Sequence, residues 1–165
     1  MIRVAINGFG RIGRTVFRVI VQRPEAGIEI VALNDLADDE MAAYLLKYDT
    51  VMGEFPGKVT VGDGYLVAGG HMVKTYTIKD PAQLPWKELD VDVVIESTGV
   101  FRTRAEVAKH LEAGAKRVIL TVPAKDELDA TVVLGVNDHD LEADDRIVSN
   151  ASCTTNCLAP IVKIL

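Results

Sequence analysis

Two cysteines, Cys153 and Cys157, are the residues of this sequence best suited to nucleophilic chemistry. They follow small polar residues and open an apolar pattern with spacings of three and four, which predicts a helix with one buried face. The apolar positions of that face are Leu158, Ile161, Val162 and Leu165. Cys153 then lies in the first helical turn, where free backbone N–H groups and the helix dipole favour a thiolate.

The two thiols receive different interpretations. Cys157 lies one turn deeper than Cys153, and we expect it to be a small buried hydrophobe. For Cys153 the spacing alone leaves two alternatives open, a catalytic nucleophile and a second buried thiol, because free cysteine is among the most buried residue types.

A glycine pattern near the start of the sequence predicts a dinucleotide-binding turn. Gly8, Gly10 and Gly13 follow an apolar strand at residues 2–6 and open a helical pattern. Gly8 allows the tight turn, Gly10 lets a pyrophosphate approach the backbone, and Gly13 lets the helix pack closely on the strand. The apolar face predicted for this helix consists of Ile12, Val16, Val19 and Ile20.

Asp35 is the candidate for binding the adenine ribose. It follows a second apolar strand at residues 28–33 and comes about 20 residues after Gly13, which is the expected distance. A carboxylate at this position repels a 2′-phosphate and therefore favours NAD over NADP. The alternative role, an N-cap for the next helix, could be filled by Asp38 or Asp39.

The middle of the chain supplies the other elements of a sheet. Glycine-separated β-rich pieces at residues 48–76 predict a meander inserted in a larger fold. A buried strand at residues 91–95 ends in small polar residues at 97–99, which are placed where ligands of open parallel sheets bind. An ordinary strand-to-helix turn is the alternative for that segment.

A helix is predicted after this strand. Thr103 and Glu106 have the spacing of a capping box at its start, and Gly114 closes it. We expect His110 to be exposed on this helix and His71 to lie in a solvent-facing loop. Further strands are predicted at residues 117–122, 131–135 and 146–148. The alternation of strands and helices predicts a doubly wound, mostly parallel α/β sheet of the Rossmann type, with residues 1–165 as one domain.

Composition and charge exclude several function classes. The net charge of −6 leaves no basic stripe for nucleic acid, and no run of some 18 apolar residues exists to cross a membrane. Two cysteines four positions apart cannot form a cross-linked framework, so nothing suggests an oxidising compartment. We expect a cytoplasmic protein with no nucleic-acid partner, no membrane partner and no metal site.

These segments together resemble the phosphorylating glyceraldehyde-3-phosphate dehydrogenase family. The stretches that carry the resemblance are INGFGRIGR at 6–14, NDL at 34–36, LLKYD at 45–49, ESTGVF at 96–101, PAK at 123–125 and SNASCTTNC at 149–157. The resemblance implies that Cys153 attacks an aldehyde to give a thiohemiacetal. Hydride transfer to NAD then leaves a thioester, which inorganic phosphate cleaves to an acyl phosphate. It further implies a phosphorylated aldehyde substrate and a homotetrameric parent enzyme.

The resemblance also assigns cofactor contacts position by position. Arg11 and Ile12 would meet the pyrophosphate, and Asp35 the adenosine ribose. Thr98 and Gly99 would line the adenosine side.

Other positions receive roles in the same way. Thr121 would lie near the nicotinamide, and Lys79 falls where relatives often carry arginine near the adenine. Ser152 and Thr154 would flank Cys153 and help hold substrate or phosphate.

The family's general base is a histidine in a second domain, and His71, His110 and His139 match no such position. We therefore expect this chain to be the cofactor-binding half of the enzyme, without full turnover alone. Two alternatives stay open. An erythrose-4-phosphate dehydrogenase would share the glycine turn and the segment at 149–157, and a nucleotide-binding module would lack catalysis.

Overall fold

The computed structural model describes residues 1–165 and contains one nine-stranded sheet. The strands are β1 (Ile2–Asn7), β2 (Ile28–Asn34), β3 (Val59–Gly62), β4 (Tyr65–Ala68), β5 (His71–Tyr76), β6 (Val93–Glu96), β7 (Arg117–Leu120), β8 (Ala130–Thr131) and β9 (Ile147–Ser149). Their order across the sheet is β3-β4-β5-β2-β1-β6-β7-β9-β8.

There are four α-helices, of which the first three connect strands and the fourth follows the last strand. They are α1 (Arg11–Val21), α2 (Asp39–Lys47), α3 (Arg104–Glu112) and α4 (Cys153–Ile164), with short 3₁₀ turns at Pro24–Ala26, Pro81–Gln83 and Asp138–Asp140. The predicted α/β architecture with a mostly parallel sheet is confirmed. No helix has both the length and the apolar character needed to cross a membrane.

The parallel part of the sheet brings the carboxyl ends of its strands to one edge. β1 pairs in parallel with β2 on one side and with β6 on the other, and β6, β7, β9 and β8 continue the parallel arrangement. Only β3, β4 and β5 form antiparallel pairs, which confirms the predicted meander. From β1 the strand order runs outward to β2 and β5 on one side and to β6 and β7 on the other. The order therefore reverses between β1 and β6, which is the point where such sheets bind ligands.

Two apolar clusters cover the two faces of the sheet. Along β1, Val4 and Ile6 belong to one cluster and Ala5 to the other, as the alternation of side chains in a strand requires. The prediction of the buried face of α1 is partly wrong, because Ile12 and Val19 are exposed.

The helix α1 instead buries Gly13, Phe17 and Arg18. Arg18 is 2% exposed, and its guanidinium donates to the carbonyl oxygens of Leu46 at 2.5 Å and Gly53 at 3.0 Å. A charged side chain tolerates burial here because its N–H groups find backbone acceptors.

Two predictions about strands need correction. The strand predicted at 131–135 stops at Thr131, because the Asn137 side chain takes up the Val133 N–H at 2.8 Å and the Thr131 carbonyl at 3.0 Å. Those side-chain hydrogen bonds replace the next ladder bonds. His71 lies at the start of β5, opposite Ala68, and not in a loop.

The last helix begins at Cys153 as predicted, but its apolar face is not buried. Leu158, Ile161 and Val162 are more than half exposed, and Cys157 is exposed as well. The prediction of a buried Cys157 is therefore wrong for this chain. The reason is that no other element packs over this face, so helical periodicity alone does not produce burial.

The capping box at the start of α3 is confirmed. The Glu106 carboxylate accepts hydrogen bonds from the N–H groups of Thr103 and Arg102, both at 2.9 Å, while Thr103 Oγ1 accepts from the Glu106 N–H. These donors, led by the Thr103 N–H, lower the pKa of Glu106 to about 2.

Replacing Glu106 by glutamine is expected to destabilise the fold at neutral pH, because the ionised carboxylate is the form that the donors stabilise. The lowered pKa means that this contribution is complete above the ordinary value of 4.5 and is lost as pH falls towards about 2. Thermal unfolding of Glu106→Gln and the unchanged chain should differ at pH 7 and converge near pH 2. Glu112→Gln, at the other end of α3, serves as the control; an equal effect of both substitutions at pH 7 would contradict the prediction.

Candidate functional site

A cavity of about 420 Å³ opens at the carboxyl edge of the sheet, where β1, β2 and β6 end. Five residues predicted from the sequence to bind a cofactor line it: Gly8, Gly10, Asp35, Lys79 and Thr98. The other predicted cofactor residues, Arg11, Ile12, Gly13, Gly99 and Thr121, lie outside its lining. The structure thus brings together residues that follow β1, β2, β5 and β6.

The glycine turn between β1 and α1 has the geometry that its sequence predicts. Gly8 has a φ of +90°, and a Cβ there would lie 2.6 Å from the backbone nitrogen of Thr98. A Cβ on Gly13 would lie 2.1 Å from the Gly8 carbonyl oxygen, so only glycine allows this approach of helix to strand. Open space surrounds Gly10, as the approach of a ligand to the backbone requires.

The N-terminus of α1 is free to bind an anion. Gly10 is its N-cap, no side chain caps the helix, and no acidic residue lies in its first turn. The backbone N–H groups there and the helix dipole therefore suit a phosphate. The turn, the close packing and the uncapped helix together fit the pyrophosphate of a dinucleotide.

The side chain of Arg11 is paired with an acidic residue in this structure. Its guanidinium forms an ion pair with Asp49, Nη1 to Oδ2 at 2.9 Å. Hydrogen bonds from the N–H groups of Met52 and Val51 lower the pKa of Asp49, and Arg11 lowers it further. Any contact of Arg11 and Ile12 with the pyrophosphate is therefore a main-chain contact in this arrangement.

Asp35 supports the glycine turn as well as lining the cavity. Its carboxylate accepts from the Phe9 N–H at 2.5 Å and from the Ala37 N–H at 2.9 Å. The N-cap of α2 is Asp38, whose side chain accepts from the Met41 N–H at 2.7 Å. The alternative role for Asp35 as a helix cap is thus excluded.

The loop after β6 contributes Thr98, while Gly99 is exposed with a φ of +71°. Thr98 donates its N–H to Glu96 Oε1 at 2.8 Å. Thr121, which follows β7, donates its hydroxyl to the Glu96 carbonyl oxygen at 3.1 Å. Thr98 therefore faces the cavity, and Thr121 lies one strand further along the same edge.

Asn7, Asn34 and Ile78 are among the lining residues that were not assigned a function from the sequence. Asn7 and Asn34 end β1 and β2, and both line the cavity together with Ile78. The available signal was a polar residue at the end of an otherwise apolar strand. Ile78 follows β5 and carries no comparable signal.

His110 was predicted to be exposed, and this prediction is wrong. The imidazole is fully buried, with Nε2 3.0 Å from Glu96 Oε2 and Nδ1 3.0 Å from Trp86 Nε1. Its burial follows from its position three residues after the buried Val107 on α3, which places both on the face towards the sheet. That spacing was visible in the sequence.

Cys153 is the first residue of α4 and is exposed. Ser152 is the N-cap, its Oγ accepting from the Thr155 N–H at 2.9 Å, and Ala151 has a φ of +56°. This left-handed residue reverses the chain sharply between β9 and α4. Cys153 therefore lies at the N-terminal end of a helix and at the carboxyl edge of the sheet.

A second cavity of about 400 Å³ lies beside α4 and is lined by Thr154, Leu158 and Lys163 among others. No histidine hydrogen-bonds with Cys153. His139 lies in a 3₁₀ turn with Nε2 3.4 Å from Asp140 Oδ1, and His110 is buried. No group of three or more His, Cys, Asp and Glu side chains is close enough together to hold a metal ion.

The fold and the glycine turn define a dinucleotide-binding domain of the doubly wound α/β class. Residues 2–104 match the family model described as glyceraldehyde 3-phosphate dehydrogenase, NAD binding domain. The chain belongs to this family, and the cofactor of the domain is NAD.

Similar proteins named glyceraldehyde-3-phosphate dehydrogenase occur in several bacteria. The Thermotoga maritima protein is 56% identical over 165 residues, which is 100% of this chain and 49% of that protein. The Borreliella burgdorferi protein is 55% identical over 168 residues, and the Zymomonas mobilis protein is 51% identical over 164 residues; each alignment covers 99% of this chain and 49% of the relative. The chain thus spans about half the length of the curated relatives it matches.

Removing the Asp35 carboxylate is expected to weaken NAD binding about tenfold and to reduce the preference for NAD over NADP. Asp35→Ala loses both the predicted ribose contact and the bond to the Phe9 N–H. Asp35→Asn keeps an acceptor for that N–H and loses only the charge, so it is the matched control for the shape of the turn. Calorimetry with both nucleotides measures the effect; an unchanged preference in both variants would contradict the ribose assignment.

Proposed function

We propose that the protein carrying this chain is an NAD-dependent, phosphorylating D-glyceraldehyde-3-phosphate dehydrogenase. The observation that carries the proposal is the placement of Cys153 at the N-terminus of α4, on the same edge of the sheet as the NAD cavity. The names of the similar bacterial proteins support it. Nothing in the site favours erythrose 4-phosphate or a role without catalysis over this activity.

The chemistry assigned to the chain's own residues begins at Cys153. Its thiolate attacks the aldehyde carbon and forms a thiohemiacetal. NAD held at the glycine turn would supply the hydride acceptor. The thiohemiacetal on Cys153 would lose a hydride from its carbon and the hydroxyl proton to the general base proposed for the second domain, which leaves a thioester on Cys153. Inorganic phosphate then attacks the thioester carbonyl and releases the acyl phosphate and the free thiol. Ser152 and Thr154 flank the nucleophile and are proposed to help hold substrate or phosphate.

The cofactor contacts follow the geometry of the first cavity. Gly8, Gly10 and Gly13 form the turn that receives the pyrophosphate, and the N–H groups of Arg11 and Ile12 face it at the start of α1. The remaining assignments follow the strands along the edge: Asp35 to the adenosine ribose, Lys79, Thr98 and Gly99 to the adenosine side, and Thr121 to the nicotinamide side.

The organisation of the whole protein is also a proposal. Residues 1–165 form one NAD-binding domain that includes the helix beginning at Cys153, which the single continuous sheet supports. The family resemblance supports a homotetrameric, cytoplasmic enzyme in which a second domain supplies the general base.

Replacing Cys153 by serine in the natural protein should lower kcat for glyceraldehyde 3-phosphate by at least about a thousandfold, because a neutral hydroxyl is a poor nucleophile. NAD affinity should stay unchanged. NADH formation, measured with inorganic phosphate present, is the assay, and erythrose 4-phosphate is the comparison substrate.

Cys157→Ser is the matched control, since it removes an exposed thiol from the same helix and should leave turnover intact. Loss of activity in Cys157→Ser but not in Cys153→Ser would mean that the nucleophile is misassigned. Faster turnover of erythrose 4-phosphate would contradict the proposed substrate.

A further inference from the structure

A buried carboxylate lies directly beneath the NAD cavity. Glu96, the last residue of β6, is fully buried and accepts four hydrogen bonds. Oε1 accepts from the N–H of Thr98 at 2.8 Å and from its hydroxyl. Oε2 accepts from Asn7 Nδ2 at 2.5 Å and from His110 Nε2 at 3.0 Å. No lysine or arginine pairs with Glu96, so these donors alone compensate for its burial.

The hydrogen-bond partners of His110 fix its tautomer. The indole N–H of Trp86 can only donate, and it lies 3.0 Å from His110 Nδ1. Nδ1 must therefore be the acceptor, and the ring hydrogen must lie on Nε2, where it points at Glu96. A second hydrogen on Nδ1 would point at the indole N–H of Trp86, so two donors would face each other with no acceptor between them. Trp86 thus holds the ring with the Nε2 hydrogen aimed at Glu96.

The same carboxylate is connected to both walls of the cavity. On one side it fixes Thr98, whose Oγ1 also accepts from the Val100 N–H at 3.1 Å. On the other side Asn7 Oδ1 accepts from Asn34 Nδ2 at 2.6 Å. Asn34 in turn bonds with the backbone of Ile78, accepting its N–H at 2.8 Å and donating to its carbonyl at 2.9 Å.

We infer that Glu96 and His110 are positioning residues of the nucleotide site. Glu96 sets the loop after β6 and the end of β1, and His110 holds Glu96 in the orientation that does so. Four residues that line the cavity, Asn7, Asn34, Ile78 and Thr98, are held through this one network. The inference rests on the NAD-binding role of the domain. It assigns a purpose to a buried imidazole that the proposed chemistry at Cys153 does not use.

Two substitutions of His110 separate its two hydrogen bonds. The amide nitrogen of glutamine takes the place of Nε2, so His110→Gln keeps a donor for Glu96 and loses the acceptor for Trp86. The amide oxygen of asparagine takes the place of Nδ1, so His110→Asn keeps the acceptor for Trp86 and loses the donor to Glu96. Both variants remove the ring and one hydrogen bond. If His110 contributed only to the stability of the fold, the two variants would therefore change nucleotide affinity by similar amounts.

Calorimetric titration of the natural protein with NAD and with ADP-ribose is the experiment. His110→Asn should weaken both ligands by a similar factor of about tenfold, because the network supports the adenosine half of the site. His110→Gln should stay within about twofold of the unchanged protein. In steady-state kinetics the asparagine variant should raise KM for NAD and leave kcat unaltered.

Val107→Ala is the control for stability, because Val107 is a buried residue of the same helix that makes none of these hydrogen bonds. It should lower the midpoint of thermal unfolding without changing nucleotide affinity. Equal affinities of the two His110 variants, or losses that follow the unfolding midpoint across all three proteins, would overturn the inference. Failure of the unchanged protein to bind NAD would instead overturn the proposed function.

Trp86→Phe provides a second test should His110→Asn not fold. It removes the N–H that fixes the tautomer together with part of the buried ring volume, and ¹⁵N NMR should then show His110 with hydrogen on either ring nitrogen. KM for NAD should rise together with that change. The inference is overturned where the tautomer changes and KM does not, or where the unchanged protein carries hydrogen on Nδ1.

Discussion

The site depends on the register in which β1 lies between β2 and β6. Asn7, the last residue of β1, is paired with Asn34 on β2 and with Glu96 on β6. Three polar residues therefore end side by side at the carboxyl edge, where their side chains bond with one another. The glycine turn begins at the next residue, so the same register brings Gly8 against the backbone of Thr98. A slip of one residue would turn every side chain of β1 to the opposite face.

Apolar burial fixes this register, and the polar residues make it specific. Val4 and Ile6 lie in one apolar cluster and Ala5 in the other, so a shift of β1 by one residue would place large side chains where a small one packs and a small one where large ones pack. A fully buried Ile or Val contributes about 1.5 to 3 kcal/mol, more than the roughly 1 kcal/mol of an ordinary hydrogen bond. An unpaired buried carboxylate is strongly unfavourable, however, so Glu96 disfavours any arrangement that separates it from its donors.

The features predicted correctly from the sequence are those encoded within a few neighbouring residues. The turn at Gly8, the capping box of Thr103 and Glu106, and the start of α4 at Cys153 need only local geometry, and all three are present. The adjacency of Asp35 to the cavity was also predictable, because in a parallel sheet the ends of neighbouring strands meet.

The features that were missed depend on contacts that local patterns do not specify. The spacing of His110 from Val107 indicated the buried face of α3, but the burial also requires Trp86 and Glu96, which satisfy both ring nitrogens and are not visible from the pattern of α3. The position of Cys157 one turn into an apolar helix predicts a buried thiol, yet periodicity defines a face without supplying anything to cover it. The Asn137 side chain ends the predicted strand because it bonds with the backbone of Thr131 and Val133. Whether such side-chain bonds replace the ladder bonds of a strand cannot be read from composition.

The distance along the carboxyl edge of the sheet determines which ligands can reach both Asp35 and Cys153. Asp35 follows β2 and Cys153 follows β9, and β1, β6 and β7 lie between these two strands. Four strand spacings amount to about 19 Å, which exceeds the reach of any small aldehyde. A dinucleotide bridges such a distance, with its pyrophosphate near the centre of the ligand. The free N-terminus of α1 follows β1, inside this span, so the anion site lies between Asp35 and Cys153, an order that fits an extended NAD molecule.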